Sequence, residues 1–217
     1  MYTSLTSGLV TTAAGVLLLT AVLQSWRRSA AGAVRLLVAQ GLALAALVAA
    51  LGAAHGATEL LWVAILIAVV KAGVLPWALS RTATGRLVDR DTATRPALGV
   101  LGATVLAMFA YAVADPLRGA DQTAAARALP AAVALVLIGF WILLTRHAAV
   151  IQLVGFVVLD NGIAMVAFLT SNGLPLTVEL GATLDVLLVV VILRALTSRM
   201  RDTHGGTSVR DLSELRD

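Results

Sequence analysis

Seven long apolar stretches, separated by short polar ones, constrain this 217-residue chain more than any other feature. A helix needs about 20 consecutive apolar residues to cross the hydrocarbon core of a bilayer, where it must satisfy its own backbone hydrogen bonds. The stretches predict an all-α, polytopic membrane helix bundle. Its expected span cores are Leu5 to Leu23, Ala33 to Ala54, Thr58 to Leu79, Pro96 to Ala114, Ala128 to Thr145, Ala148 to Thr170 and Leu174 to Leu196. Composition agrees, with 59% hydrophobic and 13% charged residues, whereas a soluble domain carries about 25% charged residues. The bundle is expected to occupy residues 1–200, with 201–217 as a cytoplasmic tail.

Arginine placement predicts the orientation, because cytoplasmic loops hold the excess of basic residues. Arg27 and Arg28 follow the first span, Arg81, Arg86, Arg90 and Arg95 the third, and Arg146 the fifth, while Arg194, Arg199, Arg201, Arg210 and Arg216 lie at the end of the chain. The other side holds Arg118 and Arg127. An amino terminus facing out and a carboxyl terminus in the cytoplasm follow. Trp26, Trp77 and Trp141 fall at the expected inner ends of spans and Trp62 at an outer end, as amphipathic rings at a headgroup belt do. No basic region or cleavage site marks the first span as a secretory signal, so it is expected to be retained. The pI of about 10.6 reflects the inner arginines, so no nucleic-acid partner is inferred.

Within this apolar background, Asp160 and Asp185 lie deep inside the last two spans. The bend Ser171 to Pro175 predicts that those spans form an antiparallel hairpin. Both carboxyls fall about 12 residues from the middle of the bend, so each lies about 19 Å down its helix, at one shared depth. Two carboxyls held together there could share a single proton. Asn161 supplies an amide beside Asp160. Glu179 lies about 10 Å down the last span, either a second stop on a path or an outer carboxylate favoured by its own helix dipole. Lys71 is the one lysine of the chain. It either faces the bundle interior or snorkels to the headgroups. Pro76 lacks an amide proton, so a kink just past Lys71 and a freed carbonyl near Val70 to Ala72 are expected. His147, Lys71, Asp160 with Asp185, and Glu179 thus offer titratable groups at graded depths, as a proton relay requires; arginine, always charged, could not serve. A structural set of paired charges that conducts nothing is the alternative.

The chain has no cysteine, so an iron–sulfur cluster, a thiolate-bound nickel–iron centre or a disulfide is excluded. No phosphate loop, nucleophile elbow or metal-spaced histidine pair is present, and His55, His147 and His204 stand far apart. Neither a catalytic residue, a metal site nor a cofactor is expected, and redox chemistry belongs to partners. Small residues at Gly99, Ala103, Ala107 and Ala110, and at Gly52 with Gly56, predict close helix packing. In the tail, Val209, Leu212 and Leu215 recur at three-residue spacing, with Ser208 and Asp211 placed as a capping box, so either a short docking helix or a disordered tail is open.

The segments LVGFVVLDNGIAMVAFL and GLPLTVELGATLDVLLVVVIL, with VKAGVLPWAL and the tail SVRDLSELRD, resemble the hydrogenase-4 membrane component E family of group 4 membrane-bound nickel–iron hydrogenases and formate hydrogenlyases. That family usually has glutamate before the Asn-Gly pair, where this chain has Asp160. Glu179 and Asp185 match the family's acidic positions. The segment 147–200 is also similar to the K subunit of complex I and the C subunit of multisubunit cation/proton antiporters. The resemblance implies a non-catalytic membrane-arm subunit of an oxidoreductase complex in the cell membrane. It would take part in proton or sodium translocation, packed between antiporter-like subunits and the membrane anchor of a nickel–iron-hydrogenase-like arm. A purely structural assembly subunit, an antiporter subunit and a self-contained transporter are the other readings. The transporter is disfavoured by the lack of an inverted repeat.

Overall fold

A computed structural model describes residues 2–27, 29–83, 96–118, 123–146 and 149–170. All the regular structure among them is helical: α1 (Tyr2–Trp26), α2 (Ala30–His55), α3 (Thr58–Ile67), a π-helical stretch (Ala68–Val74), α4 (Leu75–Ala83), α5 (Pro96–Arg118), α6 (Ala124–Thr145) and α7 (Ala149–Thr170). The third expected span is therefore three consecutive helical segments. Six stretches of described residues are long and apolar enough to cross a membrane. The expected seventh, Leu174 to Leu196, lies outside the described residues, as does the tail.

Local chemistry sets the boundaries. At the end of α2, Gly56 adopts the left-handed conformation (φ 64°) and its amide donates to the Gly52 carbonyl, closing the helix. Thr123 caps α6, its hydroxyl accepting from the Ala126 amide at 3.2 Å, so that helix starts four residues before the expected Ala128. The proline disturbance expected around Lys71 takes the form of a π-helical stretch. The Leu75 amide donates to the Val70 carbonyl five residues back, immediately before Pro76.

α2 is the central element, touching α1, α3, the π-helical stretch, α4 and α7, whereas α5 sits at the edge against α1 and α6. Consecutive helices pack antiparallel through glycines. A Cβ on Gly162 would lie 2.6 Å from the Val136 amide nitrogen, one on Gly155 2.8 Å from Ile142, and Gly139 lies directly against the Leu159 backbone. In lipid, where apolar contact alone does not draw helices together, such close backbone approach supplies the packing energy. Gly99 and Ala103 of α5 are also buried, as expected. Gly56 is not a packing residue: it is exposed at the cap, while Gly52 alone meets Leu60.

The exterior is apolar, with Leu19, Trp62, Met108, Phe109, Phe140 and Ile163 all more than half exposed. Soluble monomers rarely present so much contiguous apolar surface; lipid requires it. Trp26 and Trp77 face outward with Trp62, but Trp141 is partly buried against Gly102. Arg146, expected among the loop cations, is 1% exposed. Its guanidinium donates to the Ser25 carbonyl, one of the carbonyls left without an intrahelical partner in the last turn of α1. Gly99 leaves the space for that contact.

Candidate functional site

Two of the intramembrane charges meet. The Lys71 Nζ stands 2.7 Å from Asp160 Oδ2, with the lysine side chain 3% and the aspartate 15% exposed. Lys71 therefore points into the bundle, and snorkelling is ruled out for this conformation. Asp160 is the midpoint of the apolar stretch Val150–Thr170, so the pair sits about 15 Å from either end of α7.

Each element contributes to the placement. α7 is held against α6 by Gly139, Gly155 and Gly162, which flank Asp160 on both sides. Lys71 lies in the π-helical stretch, and Gly41 of α2 lets that backbone come close: a Cβ there would be 2.8 Å from the Lys71 carbonyl carbon and from the Ala72 nitrogen. Pro76, buried at the start of α4, follows one turn later.

An amide chain adjoins the ion pair. Asn161 Nδ2 donates to Gln40 Oε1 at 3.3 Å, and Gln40 Nε2 donates to the Leu17 carbonyl at 3.4 Å. Gln40 and Asn161 are buried at 0% and 1% exposure. Burying polar groups in an apolar medium is costly unless they are paired, so this network specifies the relative rotation of α1, α2 and α7. Both members of the ion pair can exchange protons, the ammonium as donor and the carboxylate as acceptor, which distinguishes the pair from an arginine clamp.

Of the expected relay, Lys71 and Asp160 come together, while Asn161, next to Asp160 in the chain, bonds to Gln40. Asp185, Glu179 and His147 lie outside the described residues. The shared depth of Asp160 and Asp185 leaves the partner of Asp160 open; among the described residues that partner is Lys71. Gln40, Gly41 and Arg146 are site residues that charge and spacing alone do not mark. Gln40 carried a visible signal, as a glutamine in the middle of the Ala33 to Ala54 run. No cluster of three or more potential metal-binding side chains occurs among the described residues. A cavity of about 520 Å³ opens at the end of the bundle near Ser7, His55, Thr123 and Thr170, away from the ion pair.

The chain is 42% identical to uncharacterized protein Rv0085 of Mycobacterium tuberculosis over 212 residues, 96% of each chain. It is 26% identical to hydrogenase-4 component E of Escherichia coli strain K12 over 121 residues, 56% of each chain. The component E of Shigella flexneri matches at the same level. No protein-family model matches the chain, and no solved structure does.

Proposed function

The chain belongs to the family of uncharacterized protein Rv0085 of Mycobacterium tuberculosis, and from that membership, with the distant likeness to hydrogenase-4 component E, we propose that it is a membrane-arm subunit of a hydrogenase-like redox complex. It resides in the plasma membrane, amino terminus out and carboxyl terminus in the cytoplasm, with residues 174–196 as a seventh span. The catalytic chemistry belongs to partner proteins. This subunit takes part in moving protons across the membrane through Lys71 and Asp160, with Asp185, Glu179 and His147 as further stops. Antiporter-like subunits and a membrane anchor of the redox arm are its neighbours, and the 201–217 tail docks on the cytoplasmic side.

The observation that carries the reading is the buried contact between Lys71 and Asp160 at mid-span. Ionisable side chains at that depth are rare, and those that persist commonly mark ion paths and proton relays. A lysine ammonium against the carboxylate favours a proton over a sodium ion, since the ammonium takes the place a bound cation would occupy.

The test is substitution in the assembled complex: Asp160→Asn, Asp185→Asn and Lys71→Met, with complex recovery and redox-coupled proton movement both measured. Loss of proton movement per recovered complex, beyond any fall in recovery that the stranded charge causes, is the expected result. Normal coupling in all three variants refutes the relay. A second reading, in which the pair only clamps the bundle, draws on the Gln40–Asn161 bond one residue along α7; reduced recovery with normal proton movement in the complex that does assemble would favour it.

A further inference from the structure

α1 carries a line of polar groups that neither the ion pair nor the helix ends account for. Thr20 and Gln24 are 5% and 1% exposed, as buried as the core leucines around them. Counted from Leu17 they stand at i+3 and i+7, which puts all three on one helix face. The Leu17 carbonyl receives Gln40 Nε2, so this face is turned toward Gln40, whose own amide continues to Asn161. Asn161 adjoins Asp160 in the chain. The Thr20 hydroxyl closes on the Val16 and Leu17 carbonyls at 2.8 and 2.9 Å but keeps acceptor capacity.

Gln24 is the anomaly. Among the described residues neither its Nε2 nor its Oε1 has a hydrogen-bond partner, and the same is true of Asn161 Oδ1. A buried polar group left unpaired is costly, and buried water is the usual remedy where polar groups converge. Gln24 lies two residues before the end of α1 at Trp26, about 3 Å inside that end, while Leu17 lies about 10 Å deeper. About three waters at ordinary O···O distances would span the interval, with Thr20 midway.

We propose that Gln24, Thr20, Gln40 and Asn161 form a file of water-binding sites that connects the Lys71–Asp160 pair with the membrane face at which α1 ends. Its ligand is water, and through water the proton. Gln24 forms the mouth, Thr20 the middle, and the Gln40–Asn161 bond the inner station beside the carboxylate. The file supplies a route on the α1–α2 side, separate from any path along the last span, and its transport role rests on the proposed function.

The chain contains no cysteine, so single thiols can be introduced without background. Thr20→Cys, Gln24→Cys and Gln40→Cys are compared with Leu44→Cys and Leu47→Cys, two equally buried apolar positions on α2. Membranes holding the assembled complex are treated with silver ion and with a small cationic methanethiosulfonate, reagents that attack the thiolate and so need a hydrated thiol. Silver labelling at least tenfold faster at the three polar positions than at the two controls is expected. Rates equal to the controls overturn the file. Thr20→Cys, the most conservative change, decides the matter if the glutamine variants fail to accumulate. Fast labelling together with intact proton coupling in Asp160→Asn upholds the file and removes the relay. Control-level labelling with coupling lost in Asp160→Asn keeps the relay and overturns the file.

Discussion

Removing one member of the Lys71–Asp160 pair should harm the bundle far more than removing both. At 2.7 Å, two unit charges attract by about 6 kcal/mol at an effective dielectric of about 20. Taking each ion out of water costs several kcal/mol, so the intact pair is worth only the difference. Deleting one partner leaves a buried uncompensated charge and costs about 3–5 kcal/mol. Lys71→Met or Asp160→Asn alone should therefore raise the unfolded fraction between about a hundredfold and a few thousandfold. The double variant has no charge to strand and should recover most of the loss, leaving a coupling energy of at least about 2 kcal/mol. The assay is reversible unfolding in dodecylmaltoside micelles titrated with dodecyl sulfate and followed by far-ultraviolet circular dichroism. Additivity of the two single effects within about 0.5 kcal/mol would show that the two charges do not interact, and the site as described would not exist.

Other substitutions separate tight positions from open ones. Gly162→Ala places a methyl 2.6 Å from the Val136 amide nitrogen and should cost about 1–3 kcal/mol by overpacking; Gly15→Ala meets nothing within 4 Å and should stabilise α1 by about 0.5–1 kcal/mol, both read from the same micellar unfolding. Gly41→Ala presses on the Lys71–Ala72 backbone and should lower redox-coupled proton movement in the assembled complex, while Gly8→Ala, in open space, should leave it unchanged. Arg146→Ala strips a buried donor from the Ser25 carbonyl and should cost about 2–5 kcal/mol, against less than about 0.5 kcal/mol for Arg127→Ala at an exposed position, as measured by unfolding midpoints.

The spans were legible because hydropathy changes abruptly at their ends: the expected Pro96 start of the fourth span and Thr145 end of the fifth coincide with α5 and α6. Lys71 and Asp160 stood out because a charge in an apolar run is conspicuous. Their contact was not legible. In a helix apolar on every side, hydropathy does not mark the face that turns inward, since lipid and protein interior are alike in polarity. For the same reason the small residues of α5 drew attention before Gly139, Gly155 and Gly162, which hold α6 and α7 together. Arg146 follows Thr145, the last residue of its helix, the place of a loop cation in sequence; the need of the α1 carboxyl end for a donor draws it inside. The π-helical stretch was foreshadowed only by Pro76, which marks a place where the regular hydrogen-bond pattern must fail without specifying how.

That stretch, Ala68–Val74, has a consequence for comparing relatives. Bonding to the fifth residue back takes in roughly one more residue per turn than an α-helix does. A relative shorter by one residue here can run as plain α-helix while its flanks keep their azimuth, so Ile67 upstream and Leu79 downstream would still face inward. A single-residue gap at this point in an alignment is therefore a change of winding within one conserved architecture, and the basic residue should be matched by the neighbour it faces rather than by its ordinal position.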